Sequence, residues 1–392
     1  MMAKRVPIDT YCEKKIPTLQ KTYDGLIDYV DISSVDNTEK KIISYQTIES
    51  TDAPSRAKQL LQKGDVLVST VRPNLNAVAV VEEETENLMV GSTGYCVLRC
   101  KDNMDVRYLF NFCQSQYFVD DMSSQATGAS YPAVSNGIVR SALIPCCSIE
   151  EQREIAEKMD TVSELLALRK QQLAELDELI KSRFIELFGD PEHNEKEIPT
   201  LPMTELCEII DGDRGANYPK QEEFSDNGFC LFLNAKNVTA NGFSFENCMF
   251  ITAEKDKLLR KGKLSRGDVV LTTRGTIGNL AFYDGAVPYE HIRINSGMVI
   301  LRMKRERITE RFFIEQFKMQ LASIKEKIAS GSAQPQLPIS TMNKIVMLVP
   351  NVELQAQFAA FVEQTDKSKL AVQQSIAELE ELKKSLMQQY FG

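Results

Sequence analysis

The chain has 392 residues, 46 Lys+Arg against 55 Asp+Glu for a net charge of −9, and 43% hydrophobic with 26% charged content. That is the make-up of a folded chain with room for two or three ordinary domains, and it excludes a disordered chain and a simple electrostatic binder of polyanions. No run approaches the roughly 18 apolar residues of a membrane span and MMAKRVPIDTYCEKK has no apolar leader core, so the expectation is a cytoplasmic chain without membrane association.

Over residues 1–149, apolar β-branched runs alternate with turns. Residues 65–70 (DVLVST) follow a Lys-Gly turn and read as a strand, as do 77–81 and 94–98, while 108–117 has helical spacing. The first of these strands runs into Val71-Arg72-Pro73-Asn74-Leu75-Asn76. An arginine matches guanine O6 and N7 bidentately and an asparagine matches adenine N6 and N7, so Arg72 and Asn74 are candidate contacts to base edges. A later loop, 128–135 (GASYPAVS), is small, hydroxylic and fixed by proline, which fits a structural turn better than a contact.

From Ile149 the pattern becomes helical. Met159, Leu166, Leu173, Ile180 and Leu187 share one seven-residue column, with Ile155, Val162 and Leu176 beside it and Arg169 and Arg183 interrupting. Ser148 and Glu151 form a capping-box pattern at the start, and Gly189 with Pro191 stops the helix. About 38 residues at 1.5 Å each give a rod of roughly 55 Å. A single apolar stripe needs a partner helix, and a second long helix follows Pro350 with Phe358, Val362, Val372, Ile376, Leu379 and Leu386. The alternative is two surface helices, each packed on its own domain; their length favours pairing.

Between these helices the polar, proline-bearing joint at 189–198 opens a second module. Its loop 211–219 (DGDRGANYP) offers Arg214, Asn217 and Tyr218 as donors and a ring, with glycines that permit close approach of a ligand. Asn241-Gly242 suggests a hairpin. Lys255, Lys257, Arg260, Lys261, Lys263 and Arg266 crowd one stretch, and residues 191–350 carry 21 Lys+Arg against 20 Asp+Glu, the least acidic part of the chain. The strand 268–273 runs into Arg274-Gly275-Thr276-Ile277-Gly278-Asn279, which makes Thr273, Arg274 and Thr276 candidate DNA contacts. A strand at 298–301, a helix at 311–328 and the proline-bearing segment 331–340 complete the module.

The second half repeats the first. A shift of 203 positions carries Gly64-Asp65-Val66 onto Gly267-Asp268-Val269, residues 29–35 onto 232–238, Gly128 onto Gly331, Pro132 onto Pro335 and 173–189 onto 376–392. The shift is shorter at the front, where 6–12 resembles 201–207, so the second copy carries extra residues around 212–221. A repeat of this length is a whole domain plus a helix. Each copy reads as α+β, with its sheet wrapped toward a barrel or half-barrel.

Signatures of catalysis are missing: there is no Walker-type phosphate loop, dinucleotide fingerprint, nucleophile elbow or Asn/Asp-Pro-Pro-aromatic tetrapeptide. Nine scattered cysteines and only His193 and His291 suggest reduced thiols rather than a metal site.

The two divergent modules, the RGDVVLTTRGTIGN run at 266–279, the DGDRGANYP loop at 211–219, and Ile144-Pro145 leading to Glu151-Gln152-Arg153-Glu154-Ile155 resemble the specificity subunit of type I restriction-modification systems over the whole chain. The resemblance implies two α/β target recognition domains, 1–149 and 190–350, and two long antiparallel helices, 150–189 and 351–392, forming a coiled-coil-like spacer. It implies a non-catalytic, host-defence chain that reads an asymmetric bipartite site in double-stranded DNA. Two adenine-N6 methyltransferase subunits would bring S-adenosylmethionine, and restriction subunits that translocate DNA would use ATP and Mg. The first copy departs from the tandem pattern, with Val71-Arg72 where the second has Arg274-Gly275. The competing expectations are the specificity module of a fused restriction enzyme and a coiled-coil scaffold for protein binding.

Overall fold

The computed structural model describes residues 4–329 and 336–392. The chain divides into two compact units, the first built from Met1–Gln171 with Val372–Gly392 and the second from Gln172–Ala371. Each therefore combines one module with part of both long helices.

In the first unit the Val66–Ser69 strand lies between Tyr95–Leu98 and Val78–Val80 in an antiparallel sheet. Its run Val66-Leu67-Val68 is apolar because both faces are covered. Val66 and Val68 enter a core with the helix Val106–Gln114, while Leu67 enters a second core with Val30, Ala79, Tyr95 and Val97. Full burial of each such side chain stabilises by about 1.5–3 kcal/mol. A four-stranded sheet takes the order Gln46–Glu49, Leu26–Val30, Leu88–Ser92, Ala57–Leu60, with the middle pair parallel. A ribbon of Arg5–Pro7 and Leu143–Pro145 ties the two ends of the module together.

The second unit uses the same logic. Asp268–Thr272 pairs with Met298–Met303 and Leu280–Phe282; Val269 and Leu271 face one core and Val270 the other. Cys207–Asp211 extends that sheet, and Thr200–Pro202 with Val346–Leu348 repeats the closing ribbon. The Val238–Thr239 and Gly242–Phe243 strands form the expected hairpin, with Gly242 at φ +100°.

Two expectations need correction. Among the described residues the strands of each unit divide among four small sheets instead of one wrapped sheet. The helix expected at 108–117 is two helices: Ser115 ends Val106–Gln114 and its hydroxyl accepts from the Phe118 amide at 3.2 Å, capping Gln116–Ser124.

The glycine before each GDV strand holds a left-handed turn, Gly64 at φ +89° and Gly267 at +94°, and the aspartate after it is fully used. Asp65 accepts two bonds from Arg99, both at 2.8 Å, and one from the Gln62 amide. Asp268 does the same with Arg302, at 2.9 and 2.8 Å, and the Ser265 amide. This arrangement explains why Gly-Asp recurs.

The long helices are Ile149–Phe188 and Val352–Phe391, each of 40 residues. The capping box at Ser148 and Glu151 is present, the Ser148 amide donating to Glu151 at 2.9 Å and the Glu151 amide to Ser148 Oγ at 3.2 Å. Within the second unit the helices run antiparallel: Phe358 meets Phe184 and Phe188, Arg183 lies over Phe361, and Lys369 reaches back to Asp177. Within the first unit Phe391 sits with Tyr108 and Phe112 in the core that also takes Ala156. The expected stripe is buried at Met159, Val162, Leu166 and Ile180, but Leu187 is only half-buried. Phe184 and Phe188 replace it, since four-residue steps follow the 3.6-residue turn toward the core. Among the described residues no helix is long and apolar enough to cross a membrane.

Candidate nucleic-acid interface

Each central strand is followed by a threonine that is clasped to the turn before the neighbouring strand. The Thr70 amide and hydroxyl both donate to the Gly94 carbonyl at 2.9 Å, and the Thr273 amide and hydroxyl donate to the Gly297 carbonyl at 2.8 and 3.0 Å. Thr273 is buried and its hydroxyl is occupied by this bond, which supports the loop. From these anchors both loops leave the sheet at the same point.

The clasp also sets the register between the copies. Val71 bridges to Ala133, and Arg274 bridges to Gln336. Arg274 therefore occupies the place of Val71, and Arg72 occupies that of Gly275. The backbone agrees, with φ +50° at Arg72 and +71° at Gly275. This is the register that the shift of 203 gives: Arg72 lies at the bend and Arg274 just before it.

In the first unit Arg72 and Asn74 are both exposed, on a short 3-10 turn at Pro73–Leu75. The Arg72 guanidinium lies over the Tyr131 ring, 4.8 Å from its centroid, and makes no side-chain hydrogen bond among the described residues. Lys40 donates to the Asn76 carbonyl at the far end of the turn. Burial, with Lys383 nearby, pushes the Lys40 ammonium down to about 8.

In the second unit Arg214 and Arg274 line one cleft of about 250 Å³ with Asp211, Thr273, Gln336 and Leu337. Arg214 is exposed but tethered, donating to Asp211 Oδ1 at 3.1 Å and to the Ser296 carbonyl at 3.2 Å. Arg274 and Thr276 are exposed on the loop. Asn217 and Tyr218 stand apart from this cleft. Asn217 is exposed and donates to the Leu258 carbonyl at 3.3 Å, whereas Tyr218 packs edge-on against Phe232 in a small core. Its ring is half-buried there. In the segment 331–340, residues 331–335 lie outside the described residues; Gln336 and Leu337 hold the Thr273-Arg274 backbone, with the Leu337 amide donating to Thr273 at 2.9 Å.

Asp213, which sequence reasoning passed over, organises the 211–219 loop. It accepts from the Gly215 amide at 2.8 Å and the Arg260 amide at 2.7 Å, and these backbone donors hold its carboxyl below the usual carboxylate range. The readable signal was an aspartate two residues before a glycine in a loop. The glycines permit close packing within the protein: a Cβ on Gly212 would collide with the Asn295 carbonyl, and one on Gly215 would press on Arg260.

Much of the basic stretch is spent internally. Lys255 pairs with Glu223 at 2.7 Å, Lys263 with Asp256 at 2.5 Å, and Arg266 lies over Tyr283 at 4.1 Å. Buried Arg293 joins Asp256 at 2.6 Å and donates to the carbonyls of Asp256, Lys261 and Leu259. Lys257, Arg260 and Lys261 remain exposed. What the two loops can do chemically is offer guanidinium donors from a rigid strand end.

Comparison with known proteins matches this duplication. The model of the type I restriction modification DNA specificity domain fits twice, at residues 9–178 and 195–381. The type I restriction enzyme MjaIX specificity subunit of Methanocaldococcus jannaschii is 22% identical over 345 residues, 84% of this chain and 77% of that protein. The MjaVIII specificity subunit of the same organism is 26% identical over 289 residues, 68% of this chain and 65% of that protein. Among solved structures, a chain from a study of complex assembly and conformational transition in the type I restriction-modification system has a TM-score of 0.61 at 24% identity, over 99% of this chain and 97% of that one. The type I restriction-modification S subunit from M. genitalium has a TM-score of 0.60 at 17% identity, over 100% and 99%. Both share the fold.

Proposed function

The chain belongs to the type I restriction modification DNA specificity family, as a DNA specificity subunit with the family's domain in two copies, and on that premise we propose that each unit reads one half of an asymmetric bipartite duplex target. The observation that carries this reading is the repeated clasp. Thr70 and Thr273 fix two loops of different sequence at the same strand end, one presenting Arg72 and the other Arg274. Equal scaffolds with unequal tips suit two readers of unequal half-sites. Base edges are read by such side chains, whereas phosphate contacts add affinity without sequence information.

The chain itself is non-catalytic in this reading. Two adenine-N6 methyltransferase subunits dock on it and bring S-adenosylmethionine, and restriction subunits supply ATP- and Mg-dependent translocation and cleavage. These partners account for much of the phosphate grip, which reconciles a net charge of −9 with a DNA target. The helices set the distance between half-sites.

The test is to map methylated positions in cells carrying the chain with its cognate methyltransferase. Arg274→Ala removes a guanidinium that lies on the loop without a side-chain tether among the described residues. It should relax one half-site by about 1–3 kcal/mol and leave the other intact. Arg214→Ala should act on the same half-site. Unchanged sequence preference in both variants would remove these loops from the reading.

A further inference from the structure

The loop at 128–135 stands against the recognition loop of the first unit. The Val134 amide donates to Thr70 at 2.9 Å, Val71 bridges to Ala133, and the Arg72 amide donates to the Pro132 carbonyl at 2.7 Å. Gly128, at φ +105°, makes the turn possible, because a Cβ there would press on the Tyr131 carbonyl. The product of this geometry is Tyr131, with 69% of its surface exposed, beneath the Arg72 guanidinium.

We propose that Tyr131 is a positioning residue for specificity, its ring holding the Arg72 guanidinium so that the N–H donors face a guanine edge in the major groove. The inference rests on the reading of the first unit as a DNA reader and deepens it at one base position.

Stability does not explain the pair. Arg72 adopts a left-handed backbone that costs a residue with a side chain more than an exposed cation–π contact returns. The same bend in the second unit is made by Gly275, which adopts it without strain. An arginine at a site suited to glycine, set over an aromatic ring left in water, is strain kept for a purpose outside the fold. A guanidinium held by its charge over a ring still has its donors free, and no described residue takes them. Pinning a flexible side chain in its bound pose lowers the cost of ordering it on binding.

The experiment selects bound sequences from a randomised duplex pool, using the full-length chain with its cognate methyltransferase subunits. Arg72→Ala should weaken the preference for one guanine by on the order of 5- to 100-fold. Tyr131→Ala and Tyr131→Leu should weaken it at that same position by about 2- to 5-fold. Leucine keeps apolar bulk without the ring, so agreement of the two variants excludes a folding defect. Tyr131→Phe should recover the lost preference, since the ring face and not the hydroxyl does the holding. Wild-type preference in both Tyr131→Ala and Tyr131→Leu overturns the inference, as does an Arg72→Ala pool with no altered position; either leaves the reading of the second half-site standing. A wild-type pool with no sequence preference overturns the parent reading and this inference together.

Discussion

Asp65 and Asp268 are buried carboxylates whose charge is matched by bidentate Arg99 and Arg302 and by a turn amide. Removing one partner leaves a guanidinium with its acceptor gone and a turn amide unsatisfied. Asp65→Ala should therefore destabilise its unit by about 3–5 kcal/mol in denaturant unfolding, and Asp268→Ala, whose Arg302 is more exposed, by about 1–3 kcal/mol. A loss under about 1 kcal/mol would mean that the pairs are worth no more than surface ones. The Gly-Asp repeat was plain in the sequence because a left-handed turn and a buried carboxylate each tolerate few residues. The contact residues were less plain. Thr273 donates to a carbonyl and Tyr218 packs on an aromatic neighbour, and only three-dimensional packing decides that. The shift of 203 already set Arg72 against Gly275 and Val71 against Arg274, and the bridges to Ala133 and Gln336 keep that register. Tyr131 was hidden because a proline-fixed turn looks the same whether or not its ring faces solvent.

At the scale of elements, the long helices were legible because a three-four repeat over 40 residues has no other physical reading, and Ser148 with Glu151 fixes the start. Their ends were not. Phe188 is buried with Phe184, Phe312 and Phe358 in the core of the second unit, and Phe391 with Tyr108 and Phe112 in the core of the first. The helix after each module thus ends in the other unit's core, which no periodicity encodes. Phe391→Ala should cost about 3–5 kcal/mol and speed amide exchange in Val106–Gln114, with little change in Glu310–Ala329; Phe188→Ala should do the reverse. Equal loosening of both helices by either variant would contradict this assignment. Short strands were harder to read than helices, since two- to six-residue segments carry little pattern, and the division into four sheets per unit depends on pairing between distant segments.

At the scale of the whole molecule, two copies of one design with different loop tips suit an asymmetric target, and the family's domain is matched in both copies. The duplication was visible in the sequence as a constant shift, because the insertion at 212–221 falls in a surface loop and leaves the strands in step. Which bases are read was not visible, since recognition depends on a few exposed side chains whose direction is set by neighbours far away in sequence. The central claim is that the paired helices set the separation of the two half-sites. Its direct measurement is methylation mapping after a matched insertion of one heptad in each long helix. Seven residues lengthen a helix by about 10 Å, which is about three base pairs at roughly 3.4 Å each. The account predicts the same two half-site sequences with a spacer longer by about three base pairs; the same half-sites at their original spacing would contradict it.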